Sequence, residues 1–375
     1  MKYRCERMMF TTFMNLYICY SSSLLSANGG SSEEVEMGGN SNTIFTVILE
    51  DKELKEKAEN ELHETNMRRQ EETHDLVNWI NHEQNNVPKL TDYNYTLAFL
   101  RASKFNQIAT RIRLENYWYS RRKAIMHLMN NVDPASPEIL NILRSRNAVY
   151  IPLPGYDREG RKVILAQWDQ LDVTGHAYTF KEWFRAITVV FDALCFLDEK
   201  VMVNGVTFLM DAKGVAMKHI TFFGFNNCRK QFVVMQNGYP IRIKQVHYIN
   251  NNRVIAFFLG LVKSVLSTKL ANRIQLHGYE YDSVFDYIDH ENLPSEYLHD
   301  NYKGEHSLST QDIMERFIRD TILKPHNLDF LRRLYGCQGN TDMSDFDPED
   351  DDLHEEVINE NEAELLDLEN DVDID

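Results

Sequence analysis

The chain is poor in the features that would staple, span or break a fold. Five cysteines (Cys5, Cys19, Cys195, Cys228 and Cys337) are scattered through 375 residues, with no Cys-x-x-Cys and no paired Cys/His spacing. That excludes a disulfide scaffold and a zinc module and points to reduced thiols. No stretch reaches the ~20 apolar residues that a membrane-spanning helix needs. The phosphate loop, the Gly-x-Gly-x-x-Gly turn, the His-Glu-x-x-His helix and the Gly-x-Ser-x-Gly elbow are missing too, so the sequence offers no catalytic motif and no cofactor or metal set. Lys and Arg are absent from residues 342–375, where 17 Asp and Glu account for the whole net charge of −17. The body is therefore neutral, with no basic field for nucleic acid.

What is present is ordinary globular composition, 43% hydrophobic and 26% charged, in a chain long enough for two or three folded units. Lys2, Arg4 and Arg7 precede an apolar stretch, Met8–Tyr20, that resembles a poor signal peptide interrupted by Thr11, Thr12 and Asn15. With the Ser/Gly/Asn-rich run from Ser21 to Thr43, it reads as a disordered leader over residues 1–45, with secretion as the lesser alternative. Helical periodicity follows. Leu54, Ala58 and Leu62 make a narrow stripe, Leu76, Trp79 and Ile80 mark a second helix at Asp75–His82, Leu97, Phe99 and Leu100 a third behind Thr91-Asp92, and Ile108–Trp118 a fourth. Residues 46–133 are thus expected to be a helical lobe.

After Pro137 short β-branched runs alternate with helical ones. Strands are expected at Ala148–Ile151, Lys162–Ala166, Gly205–Met210, Ile243–Ile249 and Ile274–Leu276. Between them lie helices after Thr179, over Phe223–Met235 and over Arg253–Leu266. Strand–helix–strand alternation makes residues 138–300 an α/β unit with a mostly parallel sheet and covering helices. An amphipathic extension, residues 301–338, is broken at Pro325 and precedes an acidic disordered tail at 339–375. His277, before Gly278, is a conceivable general base, and Asp211 ends a strand; without a nucleophile both read as structural hydrogen-bonding residues. The helix after Asn252 is apolar nearly all round, which fits either full burial or two apolar clients, a lipid on one side and a membrane on the other. Basic residues flank it.

Tyr239-Pro-Ile-Arg-Ile-Lys-Gln-Val-His-Tyr-Ile-Asn250, Leu266-Ser-Thr-Lys-Leu-Ala-Asn-Arg-Ile-Gln-Leu-His-Gly278 and Leu293-Pro-Ser-Glu-Tyr297 resemble the lipid-binding CRAL-TRIO family. The nearest likeness is to its α-tocopherol transfer protein and cellular retinaldehyde-binding branch. Phe99-Leu-Arg-Ala-Ser-Lys-Phe105 and Asn204-Gly205-Val206 with Asp211 match in order upstream, so the likeness covers about residues 50–300. It implies a helical lobe packed on a lipid-binding lobe whose cavity is closed by the 253–266 helix as a gate. It further implies a carrier, not an enzyme, that holds one small hydrophobic ligand, tocopherol-like, retinoid-like or another lipid, and exchanges it at anionic phosphoinositide membranes as a cytoplasmic, peripherally attached protein. The pocket residues expected on that basis are Phe180, Trp183, Phe184, Ile187 and Phe191, with Val254, Phe257, Phe258 and Leu261 on the gate. The headgroup-binding positions that the resemblance carries over are Arg242, Lys244, Lys269 and Arg273, while Ser103 stands where a fifth base is usual. Four bases near an anionic surface would supply about 4 kcal/mol. Ile241 replaces the Glu of the phosphatidylinositol-transferring branch, which weakens that lipid as cargo, and Asn250-Asn-Asn252 replaces the usual Asn-x-Pro before the gate. The alternative is a non-transferring adaptor that recruits a protein partner through the extension and acidic tail.

Overall fold

A computed structural model describes residues 51–82, 87–123, 128–146, 148–216, 218–219, 238–251, 255, 272–279, 281–298 and 308–336. The leader, the acidic tail, the helix expected at Phe223–Met235 and, apart from Ile255, the gate helix lie outside the described residues.

The first helix, α1 (Lys52–Leu62), starts where Asp51 accepts a hydrogen bond from the Leu54 amide at 3.2 Å, and buries Leu54, Ala58 and Leu62. It ends at His63, whose φ of 57° is left-handed. The second, α2 (Asn66–His82), begins nine residues before the expected Asp75. Its first half, Asn66–His74, is almost wholly polar and gives the 3.6-residue pattern nothing to register. Then come α3 (Tyr93–Ala102) and α4 (Gln107–Lys123). Asp92 stands at the N-cap of α3 but its side chain makes no cap bond; it accepts instead from Arg333, at 2.8 and 3.3 Å. A further helix, α5 (Pro137–Arg144), was not expected. Ser136 caps it and Pro137 sits in its first turn, a start signal that is easily mistaken for a loop when only eight residues follow.

The sheet has five strands in sequence order: β1 (Tyr150–Tyr156), β2 (Lys162–Gln167), β3 (Val206–Asp211), β4 (Ile243–Ile249) and β5 (Ile274–Leu276). β1 and β2 form an antiparallel hairpin, and β2, β3, β4 and β5 run parallel. Parallel pairing requires crossovers, and the first is α6 (Phe180–Leu197) with the short α7 (Glu199–Asn204). Thr179 and Glu182 make a reciprocal capping box at the start of α6, and Trp183, Phe184, Ile187, Val190, Phe191 and Leu194 are buried along it. The C-terminal extension is α8 (Thr310–Phe317), one π-helical turn (Ile318–Ile322) and α9 (Pro325–Gly336), so Pro325 opens the second helix rather than merely breaking one. One continuous apolar core joins the N-terminal helices, the sheet and the extension.

A buried polar knot ties these parts together. Arg121 of α4 donates to Asp192 of α6 at 2.9 Å, and the Tyr239 hydroxyl donates to the same carboxylate. At the end of the sheet Tyr297 donates to Asp211 at 2.7 Å and accepts from Gln167 at 2.8 Å, which gives the Leu-Pro-Ser-Glu-Tyr motif its task. Asp211 also accepts from Asn250 and from the Lys213 amide, so the strand-end residue does cap the turn that follows it.

Candidate functional site

The strand order brings Arg242 and Lys244 to the entry of β4, opposite α1. Two local features aim them there. The β3–β4 register slips between Val206 and Thr207, which pair with Ile243 and Gln245 and leave Lys244 as the extra residue of a bulge. Gly205, at a φ of 78°, lets the chain turn against this point; a Cβ there would lie 2.3 Å from the Arg242 carbonyl oxygen. Val206 N–H donates to that same carbonyl at 2.8 Å.

Both bases converge on one carboxylate, Glu61 of α1. Lys244 Nζ lies 2.8 Å and Arg242 Nη1 3.5 Å from the same oxygen, Oε2, and Lys57 reaches Oε1 at 4.0 Å. All but Lys57 are buried; Arg242 retains 3% of its exposure. Burial, together with repulsion from Arg242, outweighs the attraction of Glu61 and pushes the Lys244 ammonium down to about 7. Burial likewise lowers the Arg242 guanidinium to about 10 despite Glu61. Burial opposes ionisation of Glu61, yet Lys244 and Arg242 overcome it and hold that carboxyl below its ordinary range. The cluster is therefore too positive for its single acid. Among the described residues no hydrogen-bond acceptor meets Nε, Nη1 or Nη2 of Arg242, which leaves the 3.5 Å ion pair as its polar contact. Arg273, the third described base of the expected set, donates to the Ile243 carbonyl at 3.2 Å and so lies against the same strand. Lys269 lies outside the described residues.

The expected pocket residues of α6 fall together on the apolar side. Trp183, Phe184, Ile187 and Phe191 are buried and Phe180 is half-buried. Tyr150 of β1 meets Phe191 edge-on with ring centroids 5.3 Å apart, and Phe191 in turn faces Phe208 of β3 at 6.3 Å. Phe180 stacks on Phe184 at 6.1 Å. In this arrangement they also serve as the packing of α6 on the sheet. Val254, Phe257, Phe258 and Leu261 lie outside the described residues. At the threshold of the gate, Asn250 adopts a φ of 52°, a left-handed conformation that Asn tolerates well. Ile241 is buried among apolar neighbours.

His277 acquires neighbours that the sequence did not reveal. Its Nδ1 is 2.6 Å from the Ser283 hydroxyl, its Nε2 2.9 Å from His247 Nδ1, and His247 Nε2 3.0 Å from Gln245 Oε1. Burial first, then His277, drives His247 down to about 3, and burial lowers His277 as well, so the row is uncharged at neutral pH. It fastens the short edge strand β5 to β4 and to the turn after it. Among the described residues no group of three His, Cys, Asp or Glu could hold a metal ion, and no helix is long and apolar enough to cross a membrane.

Residues 146–297 match the CRAL/TRIO domain. Alpha-tocopherol transfer protein-like of Homo sapiens is 32% identical over 252 residues, 67% of this chain and 70% of that protein. The chain belongs to the CRAL/TRIO family. Alpha-tocopherol transfer protein-like of Mus musculus is 30% identical over 253 residues, with the same two coverages. Clavesin-1 of Xenopus laevis is 28% identical over 214 residues, 55% of this chain and 60% of that one. The crystal structure of Sfh5 aligns with a TM-score of 0.41 and 15% identity, over 68% of this chain and 98% of that one. Membership in this lipid-binding family agrees with the fold and with the resemblance carried by the Tyr239–Gly278 and Leu293–Tyr297 motifs.

Glu61 is the site residue that sequence reasoning missed. It sits in a run with six other acids from Glu50 to Glu64, and nothing in its spacing marks it as the one that faces β4.

Proposed function

We propose that this chain is a lipid carrier that encloses one lipophilic molecule between α6, the sheet and the 253–266 gate and exchanges it at phosphoinositide-containing membranes. The observation that carries this reading is the surplus of positive charge at Arg242 and Lys244 on the entry of β4, in a chain of a lipid-binding family. A buried guanidinium with one loose ion pair is an unfinished anion site, and the phosphomonoester of an inositol headgroup supplies the missing charge and acceptors. Lys269 and Arg273 extend the same set. The apolar cargo gains ~0.8 kcal/mol per buried methylene, so release requires the gate to open, and the headgroup contact is where the membrane can act on it. The protein then works in the cytoplasm as a peripheral membrane visitor, without chemistry of its own.

The cargo is identified by mass spectrometry of the organic extract of the full chain purified from eukaryotic cells, beside the variant Phe257→Asp. One co-purifying lipid, depleted in the variant, is the expected result. A folded protein that carries no lipid and takes up neither tocopherols nor retinoids would overturn the carrier reading in favour of an adaptor that works through its extension and acidic tail.

A further inference from the structure

Glu61 meets Lys244 across 183 residues of sequence, and Arg242 beside it, where the headgroup site proposed above would need an anion from outside. The fit is partial. A single oxygen, Oε2, is shared by Lys244 at 2.8 Å and Arg242 at 3.5 Å, and Oε1 is left to Lys57 at 4.0 Å. A guanidinium matched to a carboxylate takes two parallel bonds, as Arg101 does with Glu64 at 2.8 and 2.8 Å. Arg242 takes none of that kind, and its three nitrogens lack hydrogen-bond acceptors among the described residues. Three bases around one carboxylate leave a positive surplus, with Arg242 charged and Lys244 charged in part at neutral pH until a second anion draws it into its ammonium form. A phosphomonoester carries close to two negative charges and three acceptor oxygens, which is the complement of that surplus.

The carboxylate can leave without unfolding its helix. Leu54, Ala58 and Leu62 anchor α1 in the core, and the next residue but one after Leu62, Glu64, is fixed by Arg101 and by Arg69 at 3.0 Å. Glu61 itself keeps a small exposed fraction, 7%, so its flexible stem has a route to solvent.

We propose that Glu61 is an internal competitor at the headgroup site: its carboxylate occupies the phosphate position on Arg242 and Lys244, and a phosphomonoester binds by displacing it. Glu61 thus sets the affinity of docking and rejects weakly charged lipids, whose single charge gains nothing over the carboxylate already there. This inference rests on the headgroup reading of Arg242 and Lys244.

The test uses the full chain with two probes, soluble inositol trisphosphate and phosphatidylcholine vesicles with or without phosphatidylinositol bisphosphate. Glu61→Gln should bind both phosphorylated probes roughly tenfold more tightly than wild type, because the competing state is removed, while Glu61→Asp keeps the competitor and stays near wild type. Carboxyl footprinting of the wild type adds a readout that needs no variant: inositol trisphosphate should raise carbodiimide labelling at Glu61. Unchanged or weaker binding by Glu61→Gln, or unchanged labelling, together with loss of binding in Arg242→Gln, would leave the headgroup site standing and remove the competitor. No binding of either probe by any variant would overturn both. Equal gains on vesicles lacking the phosphoinositide would show general charge attraction and overturn the competitor as well.

Discussion

Two buried ion clusters stand three residues apart on the same stretch of chain, and they are built to opposite specifications. Around Glu64, Arg101 closes two bonds at 2.8 Å, Arg69 adds a contact at 3.0 Å, and Glu199 of α7 meets Arg101 at 3.0 Å. Two cations face two acids, and the geometry is tight. Around Glu61, three cations face one acid and the guanidinium is held at 3.5 Å. Burial raises the value of a finished network and the cost of an unfinished one alike. The first cluster is what a protein keeps to join the turn after α1 with α2, α3 and α7. The second has no such economy as a purely structural device, and its place at a bulge on β4 is what the proposed anion site rests on.

The comparison is broken most severely at Glu64. Glu64→Gln takes the shared buried carboxylate from Arg101 and Arg69, leaving Arg101 with Glu199 and Arg69 with Asn66, and should cost about 3–5 kcal/mol in urea unfolding, with little effect on headgroup affinity in whatever protein remains folded. The double change Arg242→Gln with Lys244→Gln should do the reverse: a smaller stability loss, because Glu61 keeps Lys57, and loss of phosphoinositide-dependent vesicle binding. If the single and the double variant behaved alike in the two assays, the distinction between the clusters would be gone.

Acid should weaken the β4–β5 edge in a separate way. His247 has a folded pKa of about 3 against an ordinary 6.5, and His277 is lowered too, so the unfolded chain takes up protons that the folded chain refuses. Their contribution is fully present above about pH 6.5 and is lost as pH falls toward 3. Thermal melts at neutral pH and at about pH 5 should show that loss, and His247→Gln should flatten it. The smallest effect is expected at the clamp between Arg333 of α9 and Asp92 of α3, where Arg333 is half exposed. Arg333→Ala should change unfolding free energy by no more than about 1 kcal/mol. A loss as large as that at Glu64 would mean that surface charge, not the core, holds the extension.

What the sequence made legible follows from how locally each feature is encoded. The periodic run Phe180–Leu194 announced α6, and the β-branched runs at Lys162–Ala166 and Ile243–Ile249 fell within a residue of their strands. The turn from β3 at Asp211 and the tyrosine of Leu293–Tyr297 belong to one hydrogen-bond network whose members lie 86 residues apart, and a family motif alone made them noticeable. Start signals were weaker guides. Asn66–His74 is helical without an apolar stripe, and Pro137–Arg144 is too short to show a period. The basic pair Arg242 and Lys244 was visible through resemblance; the acid that meets it was not, because the pairing depends on how α1 packs and on a one-residue bulge. The same holds for Ser283 and His247 beside His277, which the β4–β5 pairing assembles.

The role proposed for the Arg242 cluster is to hold an anion that the protein does not carry itself. Co-sedimentation of the full chain with phosphatidylcholine vesicles, with and without phosphatidylinositol bisphosphate, tests it most directly when wild type is run beside Arg242→Gln with Lys244→Gln. Phosphoinositide-dependent binding by the wild type and its loss in the double variant, with a melting transition retained, are the expected result. Equal binding by both folded proteins would contradict it.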